Sequence, residues 1–151
     1  MELGGYCGYS AVRIGSKLSE GAKFYTLEVN PKFASIATQI IKFAGLQDTC
    51  SILVGDSEQL LRSFAERTGH SKIDFLFIDH KKDLYLRDIQ VVEQMGLLHP
   101  GSVVVADNVI FPGAPDYLAY MRKNPSFKSE FFEAKLEYSN ASDGLEVSVF
   151  Q

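Results

Sequence analysis

Phe75-Leu76-Phe77-Ile78-Asp79 (residues 75–79) is apolar at four consecutive positions and then ends on a carboxylate. Successive strand residues point to opposite faces, so a run with no polar side suits a central parallel strand covered by helices on both faces. Outward from it, β-rich runs alternate with amphipathic stretches from residue 1 to about residue 124. The other candidate strands are Phe24 to Val29, Ser51 to Val54 and Val103 to Ala106, and the central one extends back to Ile73. Each is followed by a turn and helical periodicity, the pattern of successive βα units. The clearest helix runs from Pro31 to Ala44, with proline in its first turn and Gly45 just past its end. After Asn124 the pattern changes. Phe131 to Tyr138 and Leu145 to Phe150 flank the turn-prone Ser139-Asn140-Ala141-Ser142-Asp143-Gly144 with no helix between them, which predicts an antiparallel hairpin closing the sheet. The expected fold class is therefore α/β: a doubly wound, mostly parallel sheet with an antiparallel C-terminal hairpin, in one domain over residues 1–151. Met1-Glu2-Leu3 leaves little room for a first strand. Either the domain has lost its beginning or a short strand is completed by its neighbours.

Composition narrows the partners. With 151 residues and 46% hydrophobic content the chain can bury a substantial core. A net charge of −4 and a pI near 5.3 argue against nucleic acid, whose phosphates call for a basic face. Cys7 and Cys50 lack metal-ligand spacing and read as buried thiols of a reducing compartment. No apolar run approaches bilayer length and no signal-peptide pattern opens the chain, so a cytoplasmic domain without a membrane partner is expected. His70 and His99 sit in loop-like contexts and are expected to be exposed.

Ligands of open α/β sheets bind beyond the carboxyl ends of the strands, and four polar groups fall there. The first is the glycine-rich turn Glu2-Leu3-Gly4-Gly5-Tyr6-Cys7-Gly8-Tyr9-Ser10, which is either a tight structural turn or a loop that lets a ligand approach the backbone. The second is Glu28, placed to accept hydrogen bonds from the two hydroxyls of a ribose. Together they imply a nucleoside-containing cofactor, and the absence of the G-x-G-x-x-G order disfavours NAD. Asp79-His80-Lys81-Lys82-Asp83 and Asp107-Asn108 are the third and fourth groups, bringing hard oxygen donors to neighbouring strand ends. Each aspartate alone reads as a helix cap; as a pair they suit magnesium. Tyr6 and Tyr9 have the alternative of packing against the first helix, and Lys81 that of a solvated loop charge.

Several ordered motifs, ELGGYCGYS, TLEVNP, GDSEQ, IDHKKDLYL, GLLHPGSVVVADNVIFPGAPD and LEYSNASDGLE, run along the chain. Over essentially its full length it resembles the catechol O-methyltransferase family. The resemblance implies the S-adenosylmethionine methyltransferase variant of the doubly wound sheet, S-adenosylmethionine and Mg2+ as cofactors, and a small-molecule catechol as the acceptor of a monomeric enzyme. It places Glu2, Gly4, Tyr6 and Ser10 around the methionine part of the cofactor and Glu28 on its ribose. Ser57 and Glu58 fall at the adenine, and His80 and Asp79 near the sulfonium end. Asp79, Asp107 and Asn108 match the metal ligands, and Lys82 matches the general base. On the acceptor, Lys82, Asn108 and Glu137 meet the hydroxyls, and Pro112 and Leu136 make apolar contacts. Two departures stand out: the family's N-terminal helices are missing, and Lys81 replaces an aromatic residue that covers the substrate in mammalian members. The missing helices leave a second reading open, a non-catalytic S-adenosylmethionine-binding fragment.

Overall fold

The structure, a computed structural model, describes residues 1–136 and 139–151. It divides into two compact units, Met1–Leu60 and Leu61–Gln151.

In the first unit, strand β1 (Glu2–Leu3), helix α1 (Tyr9–Gly15), strand β2 (Phe24–Glu28), helix α2 (Pro31–Phe43) and strand β3 (Cys50–Val54) follow in order, and α3 (Ser57–Arg62) spans the division. The three strands are parallel, with β2 in the middle. β1 has two residues, paired as Glu2 with Thr26 and Leu3 with Leu27. β2 ends one residue before the expected Val29, which is 69% exposed, and β3 begins one residue earlier than expected, at Cys50. The signals around α2 work as expected. Asn30 Oδ1 accepts from Lys32 N at 2.9 Å, capping an otherwise orphan donor. At the other end Gly45 N and Leu46 N turn back onto the carbonyls of Lys42 and Ile41. Ala34, Ala37 and Ile41 form the buried stripe of this helix.

The second unit contains α4 (Phe64–Thr68), β4 (Phe75–Ile78), a 3-10 turn at Lys82–Leu84, α5 (Tyr85–Gln94), β5 (Val103–Ala106), a wound loop Val109–Gly113, α6 (Pro115–Lys123), β6 (Phe127–Lys135) and β7 (Ser142–Phe150). β4 and β5 are parallel, β7 is antiparallel to β5, and β6 is antiparallel to β7. Leu76 and Ile78 are fully buried, as are Val104 and Ala106 on the neighbouring strand. β4 begins at Phe75 rather than Ile73, whose amide bonds instead to Leu97 O at 2.8 Å.

The C-terminal hairpin is present with different boundaries. β6 starts at Phe127, four residues earlier than its apolar run suggests, and pairs from Phe127 with Phe150 through Lys135 with Ser142. Lys128, Glu130 and Glu133 belong to it because most of this strand faces solvent, where polar side chains are tolerated. β6 ends at Lys135 and β7 begins at Ser142, so Ser142, Asp143 and Gly144, expected in the turn, are strand residues. Gly144 is required there, since a Cβ would collide with Phe132 O and the Phe131 ring.

His70 is exposed, as expected, and His99 is partly so. His99 Nε2 lies 2.9 Å from Asp74 Oδ1 and Nδ1 lies 2.9 Å from Pro100 O. Both ring nitrogens thus face acceptors, an arrangement that favours the imidazolium. The Asp74 carboxylate first, then the Pro100 carbonyl, raises the pKa above 6.5. A raised histidine stabilises the fold below its unfolded value, and that contribution disappears as pH rises through the folded value. An NMR titration is expected to show a His99 midpoint above 6.5, returning toward it in Asp74→Asn.

Candidate active site

In the first unit the glycine turn is built onto the end of β2. Gly4 N and Gly5 N both donate to Leu27 O, at 2.9 and 3.0 Å. Gly5 tolerates no side chain, because a Cβ would run into Thr26 Oγ1. That hydroxyl is committed, donating to Glu2 Oε2 at 2.6 Å beside a fully buried Glu2. Glu28 is 8% exposed, and its carboxylate accepts from Tyr6 N on Oε2 and Asn30 N on Oε1, both at 2.8 Å. The same residue thus closes the glycine turn and starts the approach to α2. A carboxylate has about four lone-pair sites, so two backbone bonds leave capacity for further donors.

Tyr6 has a positive φ of 41° and is 62% exposed, with its ring edge-on to Phe33 at 4.6 Å. This ring contact is made with α2. Tyr9, which opens α1, is 75% exposed. Ser10 lies in the first turn of α1, and Ser57 and Glu58 open α3. Gly55 N donates to Glu28 O at 3.1 Å, which ties the loop leading to Ser57 onto the end of β2.

In the second unit, β4 and β5 are in register with Ile78 opposite Ala106, so Asp79 and Asp107 emerge at the same depth. Asp107 N donates to Ile78 O at 3.0 Å, which continues the pairing to that point. The Lys82 ammonium joins this group. It donates to Asp79 Oδ1 at 3.0 Å, Asn108 Oδ1 at 3.2 Å and Tyr85 Oη at 2.5 Å, and lies 4.8 Å from the Tyr85 ring centroid. Tyr85 is fully buried, and its hydroxyl donates to Asp107 O at 3.0 Å. Burial first, then the charges of Asp79, Asp107 and Asp143, keeps this phenol protonated well above its ordinary range. Burial also raises the Asp107 carboxyl; donation from Asn108 N and the charge of Lys82 oppose this, while Asp79 and Asp143 add to it.

Three further residues complete the arrangement and were not singled out in the sequence. Tyr85 follows Lys82 by three positions, a helical spacing that could have suggested contact. Asp88 is fully buried, accepting from Arg87 Nε at 2.6 Å and lying 2.7 Å from His80 Nε2. His80 stacks on Tyr85 at 5.2 Å with an interplanar angle of 13°, and its buried Nδ1 has no partner among the described residues. The third is Asp143. Burial would push its carboxyl up, but donation from the Asn108 side chain and from the amides of Phe111, Gly144 and Ile110 outweighs this and holds it below the usual range.

Among the described residues no group of three or more His, Cys, Asp or Glu side chains is arranged to hold a metal ion. The set Asp79, Asp107 and Asn108 is of another composition, two carboxylates and an amide oxygen. Two of its oxygens already converge on one cationic group, the Lys82 ammonium. Hard oxygens, local excess of negative charge and convergence on a cation fit a divalent ion such as Mg2+. Pro112 lies exposed in the wound loop, and Leu136 is half-buried, its amide bonded to Ala141 O at 3.1 Å. Glu137 lies outside the described residues. Lys81 is exposed and pairs with Asp83 at 3.2 Å. A cleft of about 410 Å³ opens beside Lys82, lined also by Asp83, Arg87, Gly113, Pro115 and Asp116, a volume in the range of small-molecule sites.

Among the described residues no helix is long and apolar enough to cross a membrane. The O-methyltransferase family profile matches residues 1–117. The chain is 48% identical to the catechol O-methyltransferase of Mus musculus over 151 residues, which is all of this chain and 57% of that protein. Against the catechol O-methyltransferase of Sus scrofa the identity is 46%, over 100% of this chain and 81% of that one. A solved O-methyltransferase from Bacillus cereus in complex with SAH is similar with a TM-score of 0.88 and 25% identity, over 99% of this chain and 72% of that one. The chain thus spans little more than half the length of the mouse relative.

Proposed function

Because the chain belongs to the O-methyltransferase family, we propose that it transfers a methyl group from S-adenosylmethionine to one hydroxyl of a catechol, with Mg2+ and Lys82 assisting. The observation that carries this reading is the position of Lys82: its amine shares Asp79 and Asn108 with the proposed cation, which puts a proton acceptor beside the metal ligands. A purely binding domain has no use for a base and a metal set together. We further assign the domain a small-molecule acceptor, a monomeric state and a cytoplasmic location.

Each residue has a physical task in this reading. Glu28 accepts from the ribose hydroxyls with the capacity left by Tyr6 N and Asn30 N. The glycine turn, anchored to Leu27 O, permits close approach of the methionine part, with Glu2, Gly4, Tyr6 and Ser10 around it; Ser57 and Glu58 serve the adenine. Asp79, Asp107 and Asn108 hold the divalent ion. The methyl donor supplies an electrophilic carbon on positively charged sulfur, and the metal ion supplies charge that makes a bound hydroxyl more acidic. Lys82 takes the hydroxyl proton as general base, and Tyr85 fixes the amine from below by hydrogen bond and ring face. Glu137 accepts from the second hydroxyl, Pro112 and Leu136 flank the ring, and His80, held by Asp88, serves the sulfonium end with Asp79. Alignment of reactants whose charges cancel contributes more to the rate than any bond made by the protein.

The test is a labelled methyl-transfer assay with a simple catechol. Methylated product that depends on Mg2+ and disappears with chelator supports the reading. Cofactor binding without product in the presence of Mg2+ contradicts it and leaves a binding domain.

A further inference from the structure

Asp143, the second residue of β7, is 3% exposed. Its Oδ2 accepts from Asn108 Nδ2 at 2.8 Å, and its Oδ1 accepts from Ile110 N at 3.2 Å and Phe111 N at 3.1 Å. An ionised carboxylate only accepts. The part of the Asn108 amide that faces it must therefore be the nitrogen. The amide oxygen is then forced to the opposite side, where it receives the Lys82 ammonium at 3.2 Å. Nothing steric makes this choice, because the oxygen and nitrogen of an amide are nearly the same size; hydrogen-bond polarity alone decides it. Asn108 also has a positive φ of 53°, the left-handed region that asparagine enters more readily than most side chains. The Asp143 carboxylate ties the segment further by taking two amide protons of the loop that follows.

We propose that Asp143 is a positioning residue for the metal centre: it orients the Asn108 side chain so that Oδ1, and not Nδ2, is presented to the divalent cation held with Asp79 and Asp107. This inference rests on the metal-assisted reading above and adds a residue to it. An amide NH2 has no lone pair to offer and turns its hydrogens toward a cation, so losing the orientation removes a ligand and puts the positive end of a dipole in its place. The effect on metal affinity is that of a partner behind a ligand, about 10- to 100-fold.

The experiment titrates the 151-residue chain with Mn2+, an oxygen-seeking stand-in for Mg2+, and reads bound ion by electron paramagnetic resonance. In Asp143→Asn the new amide sets one NH2 against another; the Asn108 side chain turns over, and affinity falls about 10- to 100-fold. In the double variant Asn108→Asp with Asp143→Asn the polarity is reversed: the new amide donates to the new carboxylate, whose second oxygen faces the ion, and affinity returns to the original level or beyond. Unchanged affinity in the single variant overturns the inference while the metal reading stands. Equal loss in the single variant and a folded double variant assigns Asp143 a structural role only and also overturns it. If the single variant does not fold, the double variant alone decides, by whether it binds Mn2+. An unsubstituted chain that binds no Mn2+ overturns the metal reading, and this inference with it.

Discussion

Replacing Lys82 with Met lowers the rate of methyl transfer about 10²- to 10⁴-fold, the range for loss of a general base. The methionine keeps most of the stem that crosses Tyr85 and removes only the group that moves the proton. Binding of S-adenosylmethionine is expected to persist, because Glu28 and the glycine turn, which carry most of its assigned contacts, belong to the other compact unit; only Asp79 among the assigned contacts is bonded to Lys82. Mn2+ binding is expected to hold or tighten: the ammonium now bonded to Asp79 and Asn108 competes with the ion for those oxygens, and the variant lacks that competitor. Steady-state kinetics and the Mn2+ titration together separate the roles. A full rate in the variant removes Lys82 from the mechanism. A lost rate accompanied by lost metal binding makes it a structural cation instead of a base.

Replacing Glu28 with Gln weakens S-adenosylmethionine binding by about 100-fold. The figure follows from hydrogen bonds to charged groups at about 1.5–3 kcal/mol each, with 1.4 kcal/mol to the tenfold. The substitution keeps size and shape but turns one acceptor oxygen into an NH2. That group then faces Tyr6 N or Asn30 N, both donors now satisfied at 2.8 Å, so the glycine turn loses an anchor as the ribose loses an acceptor. Calorimetric titration with the cofactor reads the loss. Mn2+ binding is expected to be untouched, since its ligands belong to the other compact unit. Unchanged cofactor affinity contradicts the assignment of Glu28, whatever the variant does to activity.

What could be read from the residues alone depended on how local the cause was. Phe75 to Ile78 identified a central strand because both of its faces are apolar, and Asp79 was found by standing at its end. The α2 boundaries were legible because Pro31 and Gly45 act on their own neighbours; the Asn30 cap came from the structure. The start of β6 was misplaced because an edge strand need not alternate: Lys128 and Glu130 carry no strand signal, and the pairing with β7 sets the register. The catalytic candidates followed the same rule. Asp79, Lys82, Asp107 and Asn108 were named from strand ends and family motifs, and the fold brings Lys82 to Asp79 and Asn108. Asp143 was not, since in sequence it is one more turn-forming residue, and it meets Asn108, 35 positions away, only because β7 runs antiparallel to β5. Tyr85 and Asp88 escaped notice for a related reason: a tyrosine and an aspartate near the start of a helix look like ordinary packing and capping until the fold shows that Lys82 and His80 are their partners.

The most direct test of the central claim is a calorimetric titration of the chain with S-adenosylmethionine, followed in the same cell by catechol with and without Mg2+. The account predicts that the cofactor binds and that catechol then binds only when Mg2+ is present. A folded chain that binds no cofactor, or that binds catechol equally well without the metal, would contradict it.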